Sequence, residues 1–163
     1  MSQRNKFKES FLDYYRELLG PEFESYINAL ESGEIRRSLR VNTLKISKKE
    51  LKKWLVSQGY QVEDSPFSSD GIDISGSGAP LSLKLPYISG FTYPQDSASM
   101  FAVEILDPQL GEIVLDLTAA PGGKSTQIAQ RMKNTGVLIA NDMDTSRLKA
   151  LHSNLERLGV WNC

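Results

Sequence analysis

The chain has 163 residues, of which 40% are hydrophobic and 24% are charged, and its formal net charge is −1. This composition is that of a soluble globular protein, and the charges spread through residues 1–13 exclude a signal peptide. No apolar run approaches the ~20 residues that span a bilayer, and the single cysteine, Cys163, excludes an internal disulfide. We therefore expect a soluble, cytoplasmic protein without a membrane partner.

Two helices are predicted at the start of the chain. Aromatic residues and leucines recur at helical spacing from Phe7 to Leu19, and Gly20 closes this segment. Pro21 opens a second helix that stops near Gly33. The aromatic side chains are expected to form a core and not a ligand-binding stripe.

A β-α-β unit is predicted over residues 38–62. The stretch SLRVNTL, residues 38–44, alternates polar and apolar positions as a half-buried strand does. Its two faces would carry Leu39, Val41 and Thr43 on one side and Ser38, Arg40 and Asn42 on the other. The residues SKKE at 47–50 form a capping box that starts a helix running to Gly59, and residues 60–62 are typical of a returning strand.

Basic residues are concentrated in and before the predicted helix of this unit. Eight lysines and arginines lie between Arg36 and Lys53, against one acid, Glu50. Such a stripe either binds nucleic acid or forms a solvated helix face, and the charges alone favour neither. The candidate contacts, called the basic stripe below, are Arg36, Arg37, Arg40, Lys45, Lys48, Lys49 and Lys52.

A loop-rich connection follows the β-α-β unit. Residues 64–80 are rich in serine, glycine and aspartate, which predicts a loop with a short strand at Ile72–Ile74. Short extended pieces are expected around 81–85 and 88–93. We place the domain boundary between residues 89 and 95.

The last part of the chain alternates helices and strands. Asp96 or Ser97 caps a helix that ends at Asp107-Pro108. Strands are then predicted at 112–117 and 137–141, and helices at 125–133 and 145–158. This alternation predicts parallel pairing in a doubly wound α/β sheet.

The residues TAAPGGK at 118–124, called the cofactor turn below, join the first of these strands to its helix. A phosphate-binding P-loop would require glycine at Thr118, and Pro121 removes an N–H group that phosphates would need. A dinucleotide fingerprint needs three spaced glycines, whereas the turn has two adjacent ones. A P-loop nucleotidase is therefore disfavoured.

A nucleoside cofactor without phosphates, such as S-adenosylmethionine, suits the turn better. Its close approach to the backbone requires small residues, and Ala119, Ala120, Gly122 and Gly123 meet this requirement. Lys124 and the start of the helix favour the carboxylate of the cofactor. The acid at the end of the preceding strand, Asp116, either binds the ammonium group or serves the turn, and both alternatives stay open.

An acid about 20 residues beyond the glycines of such a turn binds the ribose hydroxyls in related folds. Asp142 follows the second strand at that distance, and a carboxylate can accept two hydrogen bonds from a diol. The neighbouring Asp144 is interpreted instead as the first residue of the last helix.

The segments VLDLTAAPGGKST and IANDMDTSRLKAL together resemble the Nop/Sun family of RNA (cytosine-5) methyltransferases, known in bacteria from the Sun/Fmu-type ribosomal RNA enzymes. SLRVNTLKIS and YPQDSASMFAVEILDPQLGEIVLDL are similar to its upstream signatures, so the resemblance covers nearly the whole chain. Most members carry cysteine at Thr118. Gln95 and Asp96 also match, and we interpret them as strand-end and helix-cap residues.

The resemblance implies S-adenosyl-L-methionine as the cofactor. The residues implied to contact it are Thr118, Ala119, Ala120, Pro121, Gly122, Gly123 and Lys124, with Asp142 holding the ribose. The implied partner is RNA, ribosomal RNA in preference to transfer RNA, which favours RNA contact by the basic stripe. The resemblance implies no metal and leaves protein partners open.

The resemblance also implies a fold and a domain division. Residues 1–92 would form an N-terminal α+β RNA-binding region, with helices and a β-α-β unit similar to ferredoxin-like or RNA-recognition folds. Residues 93–163 would form the first half of a Rossmann-like methyltransferase domain.

The family's reaction requires a cysteine thiolate that adds to carbon-6 of cytosine, and Pro-Cys and Thr-Cys motifs carry its cysteines. Cys163 matches neither motif and His152 is expected on the surface, so we assign no catalytic residue here and expect the nucleophile beyond residue 163. We therefore expect an inactive fragment, with a non-catalytic RNA-binding protein carrying a vestigial cofactor half-site as the alternative. Apolar residues of its two strands would be poorly buried: Val114, Leu115, Val137, Leu138 and Ile139.

Overall fold

The computed structural model describes residues 7–32, 37–76 and 85–163. The chain divides into two compact units, Met1–Ile35 and Arg36–Cys163. Among the described residues, no helix combines the length and apolar character needed to cross a membrane.

The first unit is a pair of helices. Helix α1 (Glu9–Leu19) and helix α2 (Phe23–Ser32) are joined by one 3₁₀ turn that contains Pro21. Their shared core consists of Leu12, Phe23 and Ile27, with Phe7, Phe11, Tyr15, Leu19 and Tyr26 packed against it. The predicted helices are therefore confirmed, and so is the core role of these aromatic residues, but Tyr14 is 61% exposed and does not join the core.

The second unit begins with a four-stranded antiparallel sheet, the first sheet. Its strands are β1 (Arg37–Val41), β2 (Gln61–Asp64), β3 (Gly71–Ser75) and β4 (Thr92–Pro94), in the order β2-β3-β1-β4. Helix α3 (Lys48–Ser57) begins at the predicted capping box of Ser47 and Glu50. The β-α-β unit is present, but the strand predicted as an isolated short piece, β3, lies between its two strands.

Strand β1 is buried on both faces, whereas its sequence pattern predicted a solvated polar face. Leu39 and Val41 pack with Leu51 and Leu55 of α3. On the opposite face, Arg40 is 0% exposed and Asn42 is 1% exposed. The prediction was wrong because alternation reveals a polar face without revealing that protein hydrogen-bond partners cover it.

The connection after β3 lies partly outside the described residues, which omit 77–84. The extended piece predicted at 81–85 is therefore described only at Leu85, the first residue of the short helix α4 (Leu85–Ile88). Helix α5 (Ser97–Leu106) follows β4, with Asp96 as its N-cap, as predicted.

The second sheet pairs β5 (Ile113–Asp116) with β6 (Val137–Ala140) in parallel. Helices α6 (Gly123–Arg131) and α7 (Thr145–Leu158) follow these strands. The predicted alternation and parallel pairing are confirmed. Because both strands end at the same edge, the cofactor turn and Asp142 lie at that edge.

The apolar residues of the second sheet are mostly exposed, as expected. Leu115, Val137 and Ile139 are 55%, 46% and 50% exposed, and Val114 is half-buried. Leu138 differs, because it is buried in a core with Val103, Ile128, Ala129 and Met132. The α5–α6 side of this sheet is therefore the packed side.

Candidate cofactor site

The cofactor turn requires glycine where it enters α6. Gly122 is the N-cap of α6 and has φ of 107°, a conformation that side chains rarely adopt. A Cβ atom on Gly122 would also lie 3.1 Å from Leu151 Cδ1, and one on Gly123 would lie 3.3 Å from the Tyr93 ring. Close packing on both sides explains the two adjacent glycines.

The carbonyl oxygens from Ala119 to Gly123 all accept hydrogen bonds from the protein. Gly122 N–H donates to Ala119 O (2.7 Å), Arg147 to Ala120 O, Asn154 Nδ2 to Pro121 O (2.8 Å), Thr126 Oγ1 to Gly122 O (2.6 Å) and Arg40 Nη1 to Gly123 O (2.6 Å). The oxygen side of the turn is thus satisfied before any ligand arrives.

Three N–H groups where the turn enters α6 are free by contrast. Within residues 7–32, 37–76 and 85–163, no protein acceptor receives the N–H groups of Gly123, Lys124 and Ser125. They form the first turn of α6, where the helix leaves its N–H groups unpaired and its dipole is positive. The Lys124 side chain is exposed, and the described part of the chain gives it no ion-pair partner. The turn therefore suits a small anion such as a carboxylate.

A cavity of about 210 Å³ opens beside the turn. Six of the eight predicted cofactor residues line it: Thr118, Ala119, Ala120, Pro121, Gly123 and Lys124. Segment 93–99 supplies the other wall through Tyr93, Pro94, Gln95, Asp96 and Ser99. Gly122 is buried and Asp142 is not part of the lining.

The sequence did not single out Tyr93 and Ser99 as site candidates, although they lie in the segment YPQDSAS. Asp96 is a helix cap, as interpreted, because its side chain accepts from Ala98 N–H at 2.9 Å. The same segment also faces the turn, which only tertiary packing reveals.

Asp142 connects the end of β6 to the turn. Its Oδ2 accepts from Ala120 N–H at 2.9 Å and its Oδ1 accepts from Asp144 N–H at 3.0 Å. These backbone hydrogen bonds from Asp144 and Ala120 lower the pKa of Asp142 and keep it ionised at neutral pH. Each oxygen retains a further lone pair. Ribose binding by Asp142 stays a prediction.

The other two acids near the turn have local partners. Asp116 accepts from Thr118 N–H at 3.2 Å and from Ser125 Oγ at 2.7 Å, so its turn role is realised. Asp144 caps α7 by accepting from Ser146 N–H, which confirms its interpretation as a helix-start residue. An ammonium-binding role for Asp116 stays a prediction.

Arg40 does not belong to an RNA-binding surface, and its inclusion in the basic stripe was wrong. Its side chain is fully buried and donates to Gln95 Oε1 (3.0 Å), Gly123 O (2.6 Å) and Thr126 Oγ1 (2.7 Å). Burial lowers the pKa of Arg40 to about 9. Its polar position on β1 carried no signal that distinguished this environment from solvent.

The other residues of the basic stripe differ in whether their charges are free to contact RNA. Arg37 and Lys49 are exposed, and Arg36 lies outside the described residues. Lys48 and Lys52 form surface ion pairs with Asp64 at 2.7 and 3.1 Å. Lys45 donates to Arg157 O (2.7 Å) at the end of α7. RNA contact by these five described residues stays a prediction.

His152 and Cys163 are both exposed, as expected for His152, and Cys163 is a free thiol. Partial desolvation raises the pKa of the Cys163 thiol, which disfavours the thiolate that a nucleophile needs.

A parallel strand pair with a small-residue turn at its carboxyl edge and an acid after the second strand defines a Rossmann-like cofactor domain. The family models described as "N-terminal domain of 16S rRNA methyltransferase RsmF" and "16S rRNA methyltransferase RsmB/F" match residues 7–97 and 103–163. The chain belongs to this family of rRNA methyltransferases, which confirms the resemblance stated from the sequence.

Curated relatives of the chain are named as ribosomal RNA methyltransferases. The chain is 41% identical over 139 residues to "28S rRNA (cytosine-C(5))-methyltransferase" of Mus musculus, covering 83% of this chain and 18% of that protein. It is 37% identical over 163 residues to "Ribosomal RNA small subunit methyltransferase F" of Shigella dysenteriae serotype 1, covering 96% and 34%. The chain thus spans between about a fifth and a third of these relatives.

Solved structures share the fold. A methyltransferase homolog protein from Pyrococcus horikoshii matches with a TM-score of 0.80 and 38% identity, over 98% of this chain and 52% of that chain. NSun6 from Pyrococcus horikoshii with SFG matches with a TM-score of 0.79 and 23% identity, over 96% and 64%. The predicted mixed α/β architecture, with an N-terminal region before the start of a methyltransferase domain, is confirmed.

Proposed function

We propose that this chain contributes the cofactor turn and part of the RNA surface to an enzyme that methylates carbon-5 of a cytosine in RNA. The methyl donor is S-adenosylmethionine, which supplies an electrophilic methyl group on its sulfonium. Ribosomal RNA is the proposed substrate, because the curated relatives are named for it. That naming does not favour a non-catalytic RNA-binding role.

The free N–H groups of the cofactor turn carry this proposal. The N–H groups of Gly123, Lys124 and Ser125 and the Lys124 ammonium would bind the carboxylate of the cofactor. Ala119 and Ala120 would allow its close approach, and Asp142 would accept from the ribose hydroxyls. SFG, named with one similar structure, is an analogue of S-adenosylmethionine and supports the same cofactor here.

The reaction also requires a cysteine thiolate that adds to carbon-6 of the cytosine, so that carbon-5 becomes nucleophilic. We assign this role to no residue of the chain, since neither the surroundings nor the sequence context of Cys163 fits it. The chain's own part in the reaction is to bind and orient the methyl donor.

We also propose that residues 1–92 form the RNA-binding region and residues 93–163 the first part of the methyltransferase domain. One matched family segment ends at residue 97 and the other begins at residue 103, a few residues after the proposed boundary, which supports a division in this region. Residues 36–92 nevertheless pack with the cofactor half as one unit. Arg40, Asn42 and Lys45 of this region bond to residues beyond 92, which accounts for that packing.

Titration calorimetry of the chain with S-adenosylmethionine and with ATP tests the cofactor assignment. Saturable binding is expected only for S-adenosylmethionine, and Lys124→Gln should weaken it by roughly 2- to 5-fold, the effect of an exposed charge pair. Lys149→Gln makes the same charge change on the exposed surface of α7 and should leave the affinity unchanged. Saturable ATP binding without S-adenosylmethionine binding would refute the proposal.

A further inference from the structure

Arg40 is a buried cation between the first sheet and the cofactor turn. Its guanidinium donates to Gln95 Oε1, Gly123 O and Thr126 Oγ1, all neutral acceptors, and it lies 5.4 Å from the Tyr93 ring centroid. Among the described residues, its Nε has no partner and no carboxylate forms a hydrogen bond or an ion pair with it.

A buried charge of this kind is unfavourable for stability alone. Desolvation of a guanidinium is offset only by excellent hydrogen bonds, and apolar side chains of similar volume are often neutral or better. Asp70 is the acid whose negative charge acts on Arg40, but its carboxylate forms an ion pair with Arg131 at 3.2 Å. The burial of Arg40 therefore calls for an explanation other than stability, and the groups that its three hydrogen bonds hold in place provide one.

Arg40 holds two peptide planes of the turn. It donates directly to Gly123 O, and because the peptide unit is planar and trans, the Lys124 N–H points the opposite way. It also donates to the Thr126 hydroxyl, which in turn donates to Gly122 O, so the Gly123 N–H is oriented likewise. Gly122 O also accepts from the backbone N–H of Thr126 at 2.9 Å, so Arg40 acts on the Lys124 N–H directly and on the Gly123 N–H together with α6.

Two buried side-chain amides, those of Gln127 and Gln95, form a series of hydrogen bonds that ends at Arg40. Gln127 Nε2 donates to Met100 O at 3.1 Å, which leaves Gln127 Oε1 to accept from Gln95 Nε2 at 2.7 Å. The amide oxygen of Gln95 must then face Arg40. Since Gln95 lines the cavity opposite the turn, the network connects both walls.

We infer that Arg40 is a positioning residue that aims the N–H groups of Gly123 and Lys124 at the carboxylate of the methyl donor. This inference rests on the proposed function. It predicts an effect confined to ligands that carry the amino-acid tail. A role in folding alone would weaken binding of the nucleoside part to the same degree.

The test compares two ligands by calorimetry on the chain: S-adenosylhomocysteine, and 5′-methylthioadenosine, which keeps the nucleoside and lacks the amino-acid tail. Arg40→Met should weaken S-adenosylhomocysteine binding by about 10- to 100-fold and leave methylthioadenosine binding within about 2-fold. Arg37→Met, on the same strand but exposed, is the matched control and should change neither.

Thr126→Val is the second variant if Arg40→Met does not fold. It removes only the hydroxyl between Arg40 and Gly122 O and should cause a smaller loss with the same ligand selectivity. An equal loss for both ligands, or no loss for either, would overturn the inference while leaving the proposed function intact. Failure of the unmodified chain to bind S-adenosylhomocysteine would instead overturn the proposed function, and the inference with it.

Discussion

Gly90→Ala should destabilise the second unit strongly, although the substitution adds only one methyl group. Gly90 has φ of 71°, and a Cβ atom there would lie 1.9 Å from the carbonyl oxygen of Arg157 at the end of α7. Because that neighbour is backbone, either the loop before β4 or the end of α7 must move. Each of these segments holds an acceptor of Asn42, whose Nδ2 donates at 2.8 Å to both Gly90 O and Leu158 O.

The magnitude follows from two separate costs. A left-handed conformation costs an alanine about 1–2 kcal/mol. Disruption of the buried Asn42 hydrogen bonds adds about 1–3 kcal/mol for a group left unsatisfied. We therefore expect Gly90→Ala to lower the free energy of unfolding by about 2–5 kcal/mol.

Gly111→Ala is the matched control, because Gly111 has φ of 82° and nothing lies within 4 Å of its added Cβ. It should show only the conformational cost of about 1–2 kcal/mol. Urea unfolding of both variants, followed by far-UV circular dichroism, measures the difference. Equal destabilisation would mean that the loop before β4 does not contact the end of α7 at Gly90, and it would refute this reasoning.

Two further predictions concern charge. Hydrogen bonds from Asp144 and Ala120 lower the pKa of Asp142, so its contribution to stability is complete above the unfolded value of about 3.9 and is lost as pH falls through the lower folded value. Asp142→Asn should therefore reduce the fall of the urea midpoint on acidification below about pH 4, and an unchanged pH profile would contradict this. Lys49→Gln, at an exposed position of the basic stripe, should weaken RNA binding and lower its salt dependence by about one counterion, whereas Lys149→Gln in the cofactor half should not.

The last part of the fold could be predicted closely because its signals are local. Helix α7 begins after the Asp144 cap and ends at Gly159, which has φ of 76°, so its bounds at Thr145–Leu158 agree with the prediction. The cofactor turn could likewise be predicted, because its small residues form a local pattern in the sequence. These features depend on a few neighbouring residues and not on the rest of the chain.

The features that could not be predicted depend on distant parts of the chain. The central place of β3 results from pairing Leu39 with Ile72, and a five-residue strand within a polar loop gives no sign of its neighbours. The burial of Arg40 results from acceptors 55 to 86 positions further along the chain. A polar residue on an alternating strand has the same local pattern whether water or a helix covers it.

The distribution of hydrogen bonds around the cofactor turn also explains its preference for a carboxylate over a triphosphate. Its oxygens from Ala119 to Gly123 are occupied by protein donors, and three N–H groups remain with one exposed cation, Lys124. The N-terminus of α6, which the turn enters, adds about half of a positive charge through the helix dipole. A P-loop answers several phosphate charges with more N–H groups. Here Pro121 has no N–H, and those of Ala119 and Ala120 donate to Asn141 O and Asp142 Oδ2. One carboxylate matches both the number of donors and the charge that the turn presents.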